Sequence, residues 1–444
     1  MKIRMMLRVI FISVAVIGMG VTGVLSAVAD EDENLLEKPK AYVGSKKCKE
    51  CHKEQYYSWK TTMHSRMIQD ARVNKSVIIV ELDEKRIRKD LAKLGKKLKV
   101  PADKIYVPKM EEVKYTIGSK WKQRFVVEKK GVLYIAPIQY NPDADKFVNY
   151  HEANWDKRPW LLKCGNCHNT GVDLEKQTFI EPAVGCEACH GKGSWHFVDP
   201  TMESWKGKPA IINPAKLTSR MAAQICGSCH QRGKSTRVKG AGWSVGYEPG
   251  GPLQPYHTGT TYASGDTKHV YPNEYAKKHR MQYNDWEKSI HKKVGVTCSS
   301  CHYSHAHYLE KSKLWPRGGV QPGGSSWSPT PYATWEPSGD KQCLKCHVKV
   351  NKTAVHSIHT FGKCVGCHMP KIAASAQYGD ISSHVFVALL PEVTLKNPAL
   401  PNSCQSCHRH KSEDPKKLQV KYDALVRLQK TVTIRPLTMK IRGD

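Results

Sequence analysis

Phenylalanine is scarce in this chain. It occurs seven times in 444 residues, and hydrophobic residues of all kinds make up 40 %, below the usual share for a globular protein. A chain of this length would ordinarily divide into two or three domains, each with its own core. Side chains alone would fill such cores thinly. Long apolar runs are also missing: only Val9 to Leu25 approaches membrane-spanning length. Acidic residues are few, with 40 Asp and Glu against 70 Lys and Arg and a formal net charge of +30. That excess raises the question of nucleic acid. No basic element with interleaved aromatics stands out, so nucleic acid is not an expected partner. Spare cysteine is absent. All sixteen cysteines fall in eight Cys-x-x-Cys pairs, which leaves none for a disulfide. None stands directly after the apolar run, where a lipoprotein would carry its acylated cysteine.

What the chain has instead is one short motif repeated. Each cysteine pair is followed at once by histidine: Cys48-Cys51-His52, Cys164-Cys167-His168, Cys186-Cys189-His190, Cys226-Cys229-His230, Cys298-Cys301-His302, Cys343-Cys346-His347, Cys364-Cys367-His368 and Cys404-Cys407-His408. Cys-x-x-Cys-His is the attachment signature of c-type haem. Two thiols three residues apart lie on one helical turn, where each can add to a haem vinyl group. The following imidazole then sits beneath the ring and can bind iron. Zinc knuckles use paired cysteines too, but they do not account for a histidine after all eight pairs in a chain with 21 histidines. The reading is eight covalently bound haem c groups, which supply much of the missing apolar core. By the linkage of metal binding to folding, the apoprotein is expected not to fold.

Such attachment takes place outside the cytoplasm. Lys2, Arg4 and Arg8, the apolar run, and Ala27-Val28-Ala29 before an acidic stretch read as a signal peptide cleaved after Ala29. The expected location is the periplasm, or the extracellular side beyond it. The leader removes three positive charges and sixteen propionates would offset sixteen more, leaving about +11 of the +30 to steer acidic partners or anions.

The chain then divides into 1-29, the signal peptide; 30-66, the first haem segment; 67-160, a haem-free α/β insert; 161-235, haems two to four; 236-297, a loop-rich connector; 298-410, haems five to eight; and 411-444, a tail with one amphipathic helix near Pro415 to Lys430. The fold class expected is mainly α with extensive loops, built around eight haems. In the insert, Ile87, Leu91, Leu94 and Leu98 recur at helical spacing opposite a Lys/Arg-rich face, read as solvated. Val113 to Ile117 alternates, and Phe125–Val127 and Val132–Ile135 flank a Lys-Lys-Gly turn, reading as a hairpin. Motif intervals of 22 and 40 residues recur as 21 and 40, and Trp59-x-x-Thr62-x-His64 is echoed by Trp286-x-x-Ser289-x-His291. Two four-haem halves are suggested, although His196 finds no counterpart after His368.

Thirteen histidines lie outside the motifs, enough to give every iron a second imidazole. His64, His196, His291 and His384 are expected as distal ligands, with one of His305/His307 and one of His356/His359, of which His305 and His359 are chosen. His151, His257, His269, His279 and His410 compete for what remains, or for a substrate site.

CKECHKEQYYSWKTTMHS, VKYTIGSKWKQRF, CGNCHNTG, GCEACHGKGSWH, YNDWEKSIHKKVGVTCSSCHYSH, CLKCH with HSIH, CVGCHMP and PNSCQSCHRHKS run from Tyr42 to Ser412. Through them the chain resembles the multihaem cytochromes c of the hydroxylamine oxidoreductase superfamily, which includes octahaem nitrite and tetrathionate reductases, pentahaem nitrite reductases and tetrahaem carriers. The resemblance implies haems in near-contact stacks and, for the enzymes, one iron open to a nitrogen or sulfur oxyanion. Three features depart from the enzymes. No motif ends in lysine, Asp266 and His269 are not adjacent as the corresponding pair is, and the tail after His408 is short, with Tyr422 a weak match for a cross-linking tyrosine.

Electron transfer along closely spaced haems in anaerobic or chemolithotrophic respiration is the expected function, with acidic or membrane quinol-linked redox proteins as partners and a homo-oligomer allowed. The alternative is an oxidoreductase of nitrite, hydroxylamine or tetrathionate at one open haem, on His230, with His257, Asp266 and His269 as proton donors. A polymerising extracellular conduit is the second alternative.

Overall fold

A computed structural model describes residues 36–305, 340–348, 350, 353–359, 363–407 and 409–431. The signal-peptide segment, His307 and His408 lie outside the described residues. No helix among the described residues is long and apolar enough to cross a membrane.

The architecture is mixed α/β rather than mainly α. Its largest regular unit is the haem-free insert, a five-stranded antiparallel meander in sequence order: β1 (Ile68–Asp70), β2 (Val113–Ile117), β3 (Gln123–Lys129), β4 (Val132–Asn141) and β5 (Lys146–Asn149). The β3–β4 hairpin turns at Lys130 and Gly131, with φ of 52° and 74°. Two consecutive positive φ values match the twist of the flanking strands, and glycine takes the second at no steric cost.

Helix α1 (Lys53–Lys60) carries Trp59 and ends before His64, which lies in the turns beyond. Helix α2 (Glu84–Ala92) starts at Asp83, whose side chain accepts from the Lys85 amide, a standard N-cap. Its Ile87 and Leu91 are fully buried; Leu94 and Leu98 continue the spacing past the helix end and pack on the same cluster.

Strand alternation then sorts the sheet's two faces. Phe125, Val127, Ile138, Tyr140 and Phe147 point to α2. Val126, Ile135, Tyr115 and Ile68 point the other way, onto Trp160 and Leu161 of α3 (Trp160–His168), the helix of the second motif. The sheet is a partition between α2 and the haem-bearing region. Its α2-side core contains no motif residue, so the expectation that the apoprotein cannot fold applies to the haem-bearing segments and not to this face.

The rest is short helices joined by loops. Gly165 in α3 and Gly227 in α4 (Ser219–His230) sit at the first variable position of their motifs; a Cβ there would stand 3.2 Å from the Trp243 ring and 2.8 Å from the Tyr283 ring. Both rings lie against helix backbone. The C-terminal helix Pro415–Thr431 packs on Pro391–Lys396 and Ala354–Ile358.

Glu187, 1 % exposed, staples the first motif to the third. Its carboxylate accepts from the amides of Val43 at 3.0 Å, Gly44 at 2.8 Å and Gly193 at 2.8 Å. Glu187→Ala strands these donors, and at about 1 kcal/mol or more for each the variant is expected to lose roughly 3 kcal/mol. Thermal unfolding checks this; an unchanged midpoint would mean water replaces the carboxylate.

Candidate functional site

Each motif whose histidine is described forms a single helical turn. Where no longer helix encloses it, the histidine amide still bonds the first cysteine's carbonyl, as in His52 to Cys48 at 2.9 Å, His302 to Cys298 at 2.9 Å and His347 to Cys343 at 2.9 Å. Thiols and imidazole therefore share one side of the turn, as thioether attachment with axial ligation requires.

Six of these histidines face a second histidine across a gap of nearly constant width. Ring centroids are 6.2 Å apart for His52–His196, 6.1 Å for His64–His230, 6.1 Å for His190–His305, 6.1 Å for His291–His347, 6.0 Å for His302–His384 and 6.4 Å for His356–His368. Imidazoles in contact would stand closer. Two rings on opposite sides of one metal, with bonds of about 2.0–2.1 Å and ring centres about 1.1 Å behind the nitrogens, come to about 6.2 Å. The interplanar angle is free, because each ring can rotate about the axial direction, and it ranges from 20° to 68°.

The walls of these gaps suit a porphyrin. Phe197, Ile290, Leu344, Val348 and Ile358 are 44–76 % exposed beside the paired histidines or their cysteines, apolar surface that a haem face would cover. His190 Nδ1 lies 2.7 Å from the Ile212 carbonyl and His230 Nδ1 3.2 Å from Gln282 Oε1. Such partners fix the tautomer that presents Nε2 to a metal. Burial, then the neighbouring His230 and His302, hold His64 down to about 4, so it is neutral and able to ligate at neutral pH.

His64, His196, His291, His305 and His384 thus each face a motif histidine. Among the described residues His359 faces no motif histidine: His356 stands opposite His368, while His359 Nδ1 lies 2.8 Å from the Val355 carbonyl. His384, facing His302, is the counterpart of His196 that the sequence intervals did not reveal: the first and fifth motifs are each faced by a histidine following the motif two further on. The tryptophan elements also correspond. Trp59 and Trp286 donate to the carbonyls of Val184 (2.8 Å) and Val296 (2.9 Å), and Thr62 and Ser289 each bond the tryptophan carbonyl at 2.7 Å. Two residues later come His64 and His291.

Contacts between motifs order them in space. Cys48 lies beside Cys186, Cys167 beside Cys229, Cys226 beside Cys298, and Cys343 beside Cys364. Cys189 lies beside Cys226. Gln342 donates to the Cys301 carbonyl at 2.6 Å and Ser403 to that of Cys367 at 2.7 Å. The sequence is first, third, fourth, fifth, sixth, seventh, eighth. The second motif hangs from the fourth.

That second motif differs from the rest. Among the described residues no histidine ring faces His168, and its Nδ1 is buried without a hydrogen-bond partner. Burial, followed by Arg280, Arg124 and Lys122, holds it down to about 3. The sheet supplies much of the surrounding charge. Arg124, near the start of β3, lies on the face that carries Val126, and Lys122 comes immediately before the strand. Arg124 donates to Gln139 Oε1 at 2.8 Å and stacks on the Tyr150 ring at 3.7 Å. Lys122 donates to the Ser375 carbonyl at 3.0 Å.

From the connector comes His279, whose Nδ1 is buried and unpartnered; Arg232, just after the fourth motif, donates to the His279 carbonyl at 3.4 Å and has an unpartnered, buried Nε. Arg280 approaches Cys167 Sγ at 4.0 Å. Burial, then Arg280, lowers Arg232 to about 10. Lys122, Arg124, Arg232 and Arg280 thus concentrate positive charge beside the second motif, with Asp380 and Asp266 as the carboxylates coupled to them.

The alternative drawn from the sequence was an open iron on His230 with His257, Asp266 and His269 around it. His64 stands opposite His230, and among the described motif histidines His168 is the one that no histidine ring faces. Asp266 and His269 do meet, at 2.8 Å, with Thr260 donating to the same carboxylate at 2.5 Å; Arg232 is their charged neighbour. His257 is 4 % exposed and contacts Gln231 at 3.1 Å. Lys122 and Arg124 were missed. The available clue was two cations at strand spacing, which otherwise marks a solvated face.

A family profile described as "Cytochrome c554 and c-prime" matches residues 47–108 and 140–191, about a quarter of the chain. The crystal structure of the outer cell wall cytochrome OcwA is similar in fold, with a TM-score of 0.63 and 21 % identity over 86 % of each chain. Weaker likenesses are to an undecahaem cytochrome from the S-layer of Carboxydothermus ferrireducens (TM-score 0.43, 18 % identity, 88 % of this chain and 61 % of that one) and to the octahaem sulfite reductase MccA of Wolinella succinogenes (0.38, 16 %, 79 % and 59 %). The fold is that of a multihaem c-type cytochrome, and haem c is its cofactor.

Proposed function

We propose that this chain is an exported octahaem cytochrome that relays electrons along the line of motifs from the first to the eighth. The observation that carries this reading is the set of six facing imidazole pairs. Haem c supplies reversible one-electron chemistry; the residues of the chain supply two axial nitrogens, close spacing and a dry surround. A site closed on both faces suits relay and leaves no position for substrate.

A second reading is favoured by His168. With no histidine ring opposite it among the described residues and Lys122, Arg124, Arg232 and Arg280 nearby, the second motif, a side branch on the fourth, is proposed as an open terminal site for a small oxyanion. The charge favours nitrite or tetrathionate over neutral hydroxylamine. His279 and, behind Arg232, the Asp266–His269 pair are the proton-exchanging groups beside the same cations.

Titration of the ferric protein with nitrite or tetrathionate tests both readings. Mostly low-spin haem with one anion-responsive high-spin haem is expected. Several high-spin haems would overturn the relay, and no responsive haem would overturn the open site.

The pH dependence is specific. Burial and the adjacent Arg124 lower Lys122 from 10.5 to about 7. Its charge is present below that value and lost as pH rises through it, so anion affinity is expected to fall above pH of about 7. Lys122→Arg should abolish this fall; an unchanged profile would remove Lys122 from the site.

A further inference from the structure

The stretch from Lys85 to Lys109 contains ten Lys and Arg residues and two carboxylates. Haem propionates cannot account for this charge, because the sheet stands between α2 and the second motif. Ile87 and Leu91 pack on one face of the sheet; Trp160 and Leu161 pack on the other. Lys85, Lys89, Lys93, Lys96 and Lys97 are all exposed. Arg86, Arg88 and Lys93 pair with Asp145, Glu84 and Asp90, whereas the side chains of Lys85, Lys89, Lys96 and Lys97 make no ion pair or hydrogen bond among the described residues. Lys85, Lys89 and Lys93 recur every four residues. Like charges at that spacing work against helix formation, so the row does not serve the stability of α2.

We infer that this lysine row is a docking surface for a linear phosphate polymer, which holds the molecule by its haem-free side and leaves the haem line uncovered. Three features select this occupant. No large hydrophobic side chain is exposed between Lys85 and Lys109, so nothing here could insert into a bilayer. For the same reason the face lacks the desolvated apolar centre on which protein partners depend. The unpaired cations are all lysines, point charges suited to phosphate without bidentate or stacking demands. Lys85 and Lys89 lie on α2, and Lys96 and Lys97 lie in the turn that follows it, so the cations are spread along the chain to meet successive phosphates.

The test uses the full-length holoprotein, immobilised inorganic polyphosphate, and the fourfold variant Lys85→Gln, Lys89→Gln, Lys96→Gln, Lys97→Gln. Wild type should bind at about 50 mM salt and release by about 200 mM, and the variant should lose at least about tenfold in affinity and roughly three units of salt slope. The haem spectrum should not change. A fourfold Lys→Arg variant, with charge retained, should bind as wild type does, which separates lost charge from lost fold. Wild type failing to bind, equal binding by the Gln variant, equal capture by polyglutamate, or preference for phosphatidylglycerol vesicles would each overturn the inference. None of these readouts depends on haem spin state, so the outcome is independent of the relay and open-site readings.

Discussion

Replacing His64 by alanine will turn one low-spin haem into a high-spin, ligand-binding one and leave the other spectra in place. His64 comes from a segment 166 residues before His230, yet the two rings stand 6.1 Å apart. The backbone that aims His64 is secured independently of its imidazole, by the Trp59 indole on the Val184 carbonyl and by the Val184 amide on the His64 carbonyl at 3.1 Å. Alanine should therefore empty the ligand position without moving the chain. Loss of the axial nitrogen changes both spin state and reduction potential. The consequence for transport is large, because the fourth motif touches the second, third and fifth. Electron equilibration between the first and eighth haems should slow, and the second haem should be cut off from both. His257→Ala is the comparison: among the described residues its ring faces no motif histidine, and no spin change is expected. Unaltered spectra in the His64 variant would show that the facing-ring geometry does not report ligation.

The second large effect is expected at Arg124. Its guanidinium is held flat on Tyr150 and anchored to Gln139, so little rotamer freedom is lost when it meets an anion. If the open site on the second motif is correct, Arg124→Gln should cost about 100-fold to 1000-fold in turnover or anion affinity, the usual loss on removing one preorganised donor. The low-spin haems should be untouched. Arg237, an exposed arginine resting on Tyr256, serves as the control. An equal loss with Arg237→Gln would point to general charge rather than to a site.

Much of the cofactor side was legible because it is local. Two thiols and an imidazole must lie on one helical turn, so five residues suffice to mark it. The hairpin at Lys130-Gly131 and the tail helix were legible for the same reason. Ligand pairing is not local. His305 faces His190, and His356 rather than His359 faces His368, choices set by how loops pack and invisible to spacing. The balance of α and β was misjudged because the motifs draw attention to helices, while β4 (Val132–Asn141) runs six residues past the Ile135 at which the sequence reading stopped. Lys122 and Arg124 escaped notice because strand alternation assigns a face without saying whether that face meets water or a buried motif.

Haem stoichiometry is the most direct test of the account. Intact-mass analysis of the denatured, exported protein is expected to show eight covalent haem additions, with iron and no zinc. Fewer than eight additions, or zinc in place of iron, would contradict it.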